Sequence, residues 1–291
     1  RGPYRRGWAM PLVNLSNLLR AAEEGGYAIG GFNIQNLEML QAVARAAAEE
    51  RSPVVLQFNP ANIRHIGMEY AAAIGLLAAQ QASVPVAVHL DHGAGFAQSA
   101  AAVRAGFTSL MYDGTPFPLD QNIAVTQRVC ELAHAVGVSV EGEIGQMGGV
   151  EEGVFVAEGL GTMTDPGEAV RYALETGVDA LAVAAGNQHG TSVERLDMER
   201  LSAIRAAVGL PIVIHGGSGL PDAVIREAVQ RGVRKFNVAT QLNRGFLEGF
   251  LRAALERPGE TNPRAPLAAG RDAVVAAVRA KMSVFGSSGR A

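Results

Sequence analysis

Four histidines fall where short apolar runs end: His89 and His92 in VHLDHG, His189 in GNQHG and His215 in HGGSG. Neutral imidazole is a common zinc ligand, and three protein ligands leave one position open for a substrate. One histidine at such a place reads as a packed or surface group, whereas three separate runs each delivering a histidine to one rim read as a metal centre. Glycine directly follows His92, His189 and His215, and glycine lets the backbone approach a ligand closely. His89 and Asp91 share one side of a regular strand and His92 falls on the other, so periodicity alone does not decide which histidine faces the site. His65 and His134 lie in helical stretches and read as surface or second-layer residues.

The acids around these histidines extend the argument. Asp91, flanked by His89 and His92, is a poor place for a merely structural carboxylate. Glu141 and Glu143 lie two apart, on one side of a strand, where paired acids are costly unless ion-paired or metal-bound. Of the two, Glu143 is the one favoured for function. Glu151 and Glu152 in QMGGVEEGVF read either as solvated charge or as part of a mobile active-site loop over 145–165. HGGSG, followed by a helix opening at Pro221, makes a phosphate cradle of free N–H groups. It stands beside Asn237, Ala239 and Thr240, as in the phosphate site that many barrels build after strands seven and eight. The only lysines are Lys235 and Lys281. Lys235 shares the parity of Asn237, which leaves Schiff-base chemistry open, though the histidines make it unnecessary.

Eight runs rich in Val, Ile or Ala must carry these groups: 28–34, 53–59, 84–91, 109–113, 138–144, 179–185, 211–216 and 233–239. Helical patterns separate them, for example 36–50 and 221–230. Eight such alternations predict one α/β domain, a single (β/α)8 TIM barrel, with chemistry at the C-terminal strand ends. An open doubly wound sheet is the runner-up, but it wants GxGxxG after the first strand, where this chain has FNIQN. Residues 257–266 read as a loop into a last helix, 268–283, a C-terminal helical extension. Residues 1–9 read as a disordered or foreign extension, Met10 as the opening of a helical segment, and 10–291 as the domain.

The 291 residues are 48% hydrophobic with a net charge of −3, enough for a large core and too neutral to point to nucleic acid or an anionic membrane. No apolar run approaches bilayer length. The single cysteine, Cys130, suits a reducing compartment, taken as the cytoplasm, and its apolar surroundings read as a buried structural thiol.

GGFNIQNLE, VHLDHG, VEGEIGQMGG, HGGSG, FNVAT and FGSSGRA, in that order and spacing, resemble the class II (metal-dependent) fructose-bisphosphate and tagatose-bisphosphate aldolases from about Leu12 to the C-terminus. The resemblance implies that His92, His189 and His215 are zinc ligands and that Glu143 meets the metal in an alternative position. It implies that Asp91 handles the proton of the C4 hydroxyl and Glu151 the proton at C3. Gly190, Gly216, Ser218, Asn237, Ala239 and Thr240 then hold the substrate phosphate, with a monovalent cation (Na+ or K+) beside it. It also implies a homodimer or homotetramer acting on a phosphosugar. Two departures bear on substrate recognition and not on the metal. The tyrosine and lysine common after the second metal histidine are absent from HGTSVERLDMERL, and QFNPAN lacks a serine or threonine after strand two. The competing expectations are a tagatose-bisphosphate or other ketose-phosphate aldolase, a metal-independent phosphosugar isomerase, and a non-catalytic phosphosugar-binding protein.

Overall fold

The computed structural model describes residues 11–146, 148–151, 154–156, 162–189, 193 and 195–291, without the side chains of 148–151, 154–156 and 188–189. Residues 1–9, Met10, Glu152 and Gly190 lie outside the described residues. In chain order the strands are β1 (Ile29–Asn33), β2 (Val54–Phe58), β3 (Val86–Gly93), β4 (Ser109–Tyr112), β5 (Ser139–Ile144), β6 (Gly148–Glu151), β7 (Val154–Val156), β8 (Ala180–Val183), β9 (Gln188–His189), β10 (Ile212–Ile214) and β11 (Val233–Val238). Eight of them close a parallel barrel in the order β1-β11-β10-β8-β5-β4-β3-β2. All eight runs expected from the sequence become barrel strands, mostly trimmed by a residue or two.

Strand register sorts the side chains. Ile29 pairs with Lys235, Gly31 with Asn237 and Val55, Gln57 with His89, and Glu141 with Ala180. Positions of this parity point into the barrel. Those of the other parity, such as Phe32, Leu56, Val88, Leu110, Val140 and Phe236, join the main apolar cluster with the surrounding helices. Helix α1 (Leu15–Gly25) closes the N-terminal end: Leu15, Leu18, Leu19 and Ala22 pack on Ile29, Val55, Ala87, Ala180, Ala182 and Val213. Its start is set by Asn14, whose side chain accepts the N–H of Asn17, an N-cap that satisfies one otherwise orphaned donor. The helical segment expected from Met10 therefore begins only at Leu15. Before it, Leu12 bridges to Val86 in parallel fashion.

Around the barrel run α2 (Leu37–Glu50), a short α3 (Pro60–Ile66), α4 (Met68–Gln81), α5 (Phe96–Ala105), α6 (Leu119–His134), α7 (Pro166–Thr176), α8 (Met198–Val208), α9 (Asp222–Gln230) and α10 (Thr240–Glu256). The last helix, α11, covers Arg264–Phe285 and lies against α10 and α2. It is longer than the expected 268–283, because Pro263 starts it early and Gly286, in the left-handed conformation, ends it as helix-terminating glycines do. The connection 145–165, expected as a loop, contains β6 and β7, an antiparallel pair. Strand β9 adds to β6 in parallel, with Gly149 opposite His189.

Candidate metal and phosphate site

The ambiguity between His89 and His92 is resolved by one backbone angle. His92 has φ +48°, one of two non-glycine residues in the left-handed region among the described residues. The pairing of β3 with β4 slips between Leu90 and Gly93. This bulge breaks the alternation, so His92 and Asp91 turn to the same mouth of the barrel. Positive φ is uncommon for any non-glycine residue, although histidine tolerates it better than most, and it is retained where the surrounding structure enforces it. His89 keeps the regular parity and stays one layer lower, fully buried, its Nδ1 2.8 Å from Ser109 Oγ. Burial, aided by the Lys235 charge, lowers its pKa to about 3, so it is neutral.

At the mouth, Asp91, His92 and His215 each bring a ligand atom within 4.8 Å of the others; His92, Asp113 and Glu143 form a second such group. His92 Nε2 lies 3.9 Å from Asp91 Oδ1, and its Nδ1 is 2.9 Å from Asp113 Oδ2. His215 Nε2 is 3.0 Å from Glu141 Oε1, and its Nδ1 is 3.5 Å from Glu143 Oε1. Each imidazole thus has one nitrogen closely tied to a carboxylate, His92 to Asp113 and His215 to Glu141, and both rings border Glu143, His92 Nδ1 at 3.6 Å from its Oε2. Carboxylate partners of this kind orient histidines on metals. Glu143 Oε2 is buried without a hydrogen bond among the described residues. A donor set of imidazoles and carboxylates that includes a buried carboxylate oxygen with an ion-pair neighbour at 3.6 Å but no hydrogen bond fits a divalent metal.

Asp91 is the most constrained acid. Asn33 Nδ2 donates to its Oδ2 at 2.8 Å and Asn237 Nδ2 to its Oδ1 at 3.0 Å. Gln57 Nε2 donates in turn to Asn33 Oδ1 at 3.3 Å. Asp113 also accepts from the Thr115 hydroxyl and N–H. Burial opposes its ionisation, but His92 and Thr115 outweigh that and hold the carboxyl at about 2. Under the mouth, Lys235 Nζ donates to both Glu141 oxygens, at 3.2 and 2.9 Å. Burial opposes the Glu141 charge, but Lys235 and His215 hold its pKa well below the usual range. For His215, burial is outweighed by Glu143 and Glu141, which raise the imidazole to about 9.

The cradle forms beside this group. Gly216 has φ +72° and a short 3-10 turn spans Gly217–Gly219. A Cβ on Gly217 would lie 2.9 Å from the Asn237 carbonyl oxygen, so the turn rests directly on β11. Ser218 Oγ accepts from Ala239 N at 3.2 Å and Gln241 N at 3.3 Å. Thr240 opens α10, whose N-cap residue, Ala239, supplies no side-chain cap of its own. Helix N-termini, here partly buried, favour anions.

Of the residues named from sequence, the structure brings Asp91, His92, His215 and Glu143 together, and Gly216, Ser218, Ala239 and Thr240 beside one another. The Asn237 amide goes to Asp91. His189 ends β9 and Glu151 ends β6, and the pairing of these strands brings their backbones side by side. Their side chains, with Gly190, are outside the described residues. Sequence reasoning missed Asn33 and Asp113, and it left Glu141 without the partners it has. Asn33 and Asp113 fall at the C-terminal ends of β1 and β4, which is the signal that was available. His65 and His134 are exposed, and Cys130 is buried, as expected, with its thiol pushed up to about 12 by burial.

Residues 13–290 match the family described as Fructose-bisphosphate aldolase class-II. A probable fructose-bisphosphate aldolase of Bacillus subtilis (strain 168) is 41% identical over 287 residues, covering 97% of this chain and 100% of that one. A fructose-bisphosphate aldolase of Geobacillus stearothermophilus is 41% identical over 288 residues, covering 97% and 99%. The crystal structure of the YdjI aldolase from Escherichia coli K12 matches with a TM-score of 0.85 at 32% identity, over 96% of this chain and 99% of that one.

Proposed function

The chain belongs to the class-II fructose-bisphosphate aldolase family, and on that premise we propose that it reversibly cleaves fructose 1,6-bisphosphate to dihydroxyacetone phosphate and glyceraldehyde 3-phosphate, with zinc as its metal. It is a carbon–carbon lyase on a (β/α)8 barrel, in a family that is metal-dependent and acts on phosphosugars. The observation that carries the substrate chemistry is Asp91: both of its oxygens are held by amides, 3.9 Å from the nearer nitrogen of His92.

We assign His92, His189 and His215 as the metal ligands, with Glu143 as the alternative one. A divalent metal bound there supplies Lewis-acid polarisation of the ketose carbonyl and stabilises the charge left by cleavage. Asp91 accepts the C4 hydroxyl proton as the C3–C4 bond breaks. C4 leaves as the aldehyde, and the electron pair of the broken bond remains on the C3 fragment. Glu151 returns a proton to C3, a role supported by the pairing that sets its strand beside His189. In the condensation direction both transfers reverse. Gly190, Gly216, Ser218, Asn237, Ala239 and Thr240 hold the dihydroxyacetone phosphate end, with Na+ or K+ beside the anion, keeping the reacting carbons in register.

One observation favours a ketose phosphate with a different far end as the second reading. After β2, Asn59 and Asn62 cap their own helix, each side chain accepting the other's backbone N–H at 2.9 and 3.0 Å. We further assign residues 10–291 as the catalytic domain, a homodimer or homotetramer as its assembly, and the cytoplasm as its place. Among the described residues no helix is long and apolar enough to cross a membrane. A screen of zinc-loaded protein against ketose 1-phosphates and 1,6-bisphosphates of both C4 configurations tests the reading. Cleavage of fructose 1,6-bisphosphate that is lost on chelation supports it; no turnover on any substrate, or turnover that survives chelation, sinks it.

A further inference from the structure

Only two of the 25 basic residues are lysines, and both are buried, Lys235 at 0% exposure and Lys281 at 5%. Lys235 is accounted for by Glu141. Lys281 is not: it belongs to α11, outside the eight strand–helix repeats, and among the described residues its one hydrogen bond runs from Nζ to the carbonyl oxygen of Gly217, at 3.1 Å. Burying an ammonium on one neutral acceptor is unfavourable, and an apolar side chain of equal length would fill the same space without that cost. Burial accordingly lowers its pKa, opposed by the charge of Asp222.

Gly217 opens the turn that carries Ser218 to the N–H groups of Ala239 and Gln241. Its peptide with Ser218 is trans, so carbonyl and N–H point in opposite directions. Tying the carbonyl to α11 therefore turns the Ser218 N–H to the side away from α11. Ser218 anchors the turn on the β11 side, while Gly217 itself can carry no side chain, since a Cβ there would meet the Asn237 carbonyl and, at 3.3 Å, Phe236 Cβ.

We propose that Lys281 is a positioning residue for the substrate phosphate: it fixes the Gly217–Ser218 peptide so that the Ser218 N–H faces the anion, and it places a buried positive charge behind that peptide. This role rests on the phosphate-site reading above. Asp222 is the one carboxylate whose charge acts on the ammonium, without an ion pair between them among the described residues. The anion adds counter-charge, and it couples the C-terminal helix to substrate affinity without contact with the reacting carbons.

The test measures inorganic phosphate binding by calorimetry, together with steady-state cleavage and metal content, in zinc-loaded wild type, Lys281→Met and Lys281→Arg. One charge-assisted interaction implies about tenfold weaker phosphate binding in Lys281→Met. KM should rise by a similar factor, with kcat and metal content held, and Lys281→Arg should restore much of the affinity. Lys281→Gln, which keeps a donor without the charge, replaces the Met variant if that one does not fold. Wild-type phosphate affinity in the variant, or a loss confined to kcat, overturns the role. Absence of phosphate binding by the wild type removes the phosphate site itself, and Lys281's role with it, which separates the two failures.

Discussion

The two ends of the barrel are built from the same strands and differ in almost every inward residue. At the N-terminal end the inward layer is Ile29, Val55, Ala87, Ala180, Ala182 and Val213, sealed by the leucines of α1. Two residues further along β2, β3 and β10 it becomes Gln57, His89 and His215, and β5 and β11 add Glu141, Lys235 and Asn237, all buried. One period-2 pattern thus carries stability at one end and chemistry at the other. The polar layer survives burial because its charges are paired: Lys235 with Glu141, Glu141 with His215, and Asp91 with two amides. The contrast predicts that damage at the mouth costs turnover, damage at the base costs stability, and damage between them costs both.

The largest effect should come at the mouth. Asp91→Ala should lower kcat by roughly 10³-fold, the scale of lost general acid–base catalysis, while metal content stays near wild type and stability falls by about 1–3 kcal/mol for the two amides left without their acceptor. Turnover near wild type in that variant would remove Asp91 from the chemistry. In the middle layer, Lys235→Met strands the Glu141 carboxylate in the barrel and should cost about 3–4 kcal/mol of stability. Adding Glu141→Gln should recover most of it, as a urea titration of the single and double variants will show. A double variant no more stable than the single one would refute the pairing argument. At the base, Leu18→Ala leaves a cavity at a fully buried position and should cost about 2–3 kcal/mol, with kcat per folded molecule unchanged. A kcat defect there would mean that the two ends are not separable.

The base was the more legible end. Its apolar runs announce strands by composition, and a barrel follows from counting them. The mouth was legible in residue type but not in pairing. Asn237 sits beside a phosphate motif in the chain, yet its amide reaches Asp91 across the β1 and β2 positions, a contact that only closure of the barrel creates. Asp113 ends a strand as a hundred turn aspartates do, and nothing local marks it as the partner of His92. His92 itself was ambiguous because side-chain alternation assumes regular φ, and its φ of +48° is set by the bulge against β4. The segment 145–165 read as a loop because its glycines obscure a pair of short strands.

The smallest effect concerns protons at the mouth, and its two halves have opposite signs. In the metal-free protein the surrounding carboxylates raise His215 to about 9, above the ordinary imidazole value of about 6.5. Its protonated form therefore stabilises the metal-free fold fully below about 6.5, and that contribution is lost as pH rises through 9. A metal needs the neutral imidazole, so the proton competes with it below pH 9. Apparent metal affinity should rise about tenfold per pH unit from near 7 to 9 and then level off, equivalent to about 1.4 kcal/mol per unit for one displaced proton. Over the same range the metal-free protein should become less stable. Chelator competition at several pH values, paired with urea titrations of metal-free protein, measures both halves. The base of the barrel carries no such group, so Leu18→Ala should shift the stability curve without changing its pH slope. An affinity that stays flat from pH 7 to 9 would mean that the Glu141–His215–Glu143 cluster does not hold that proton.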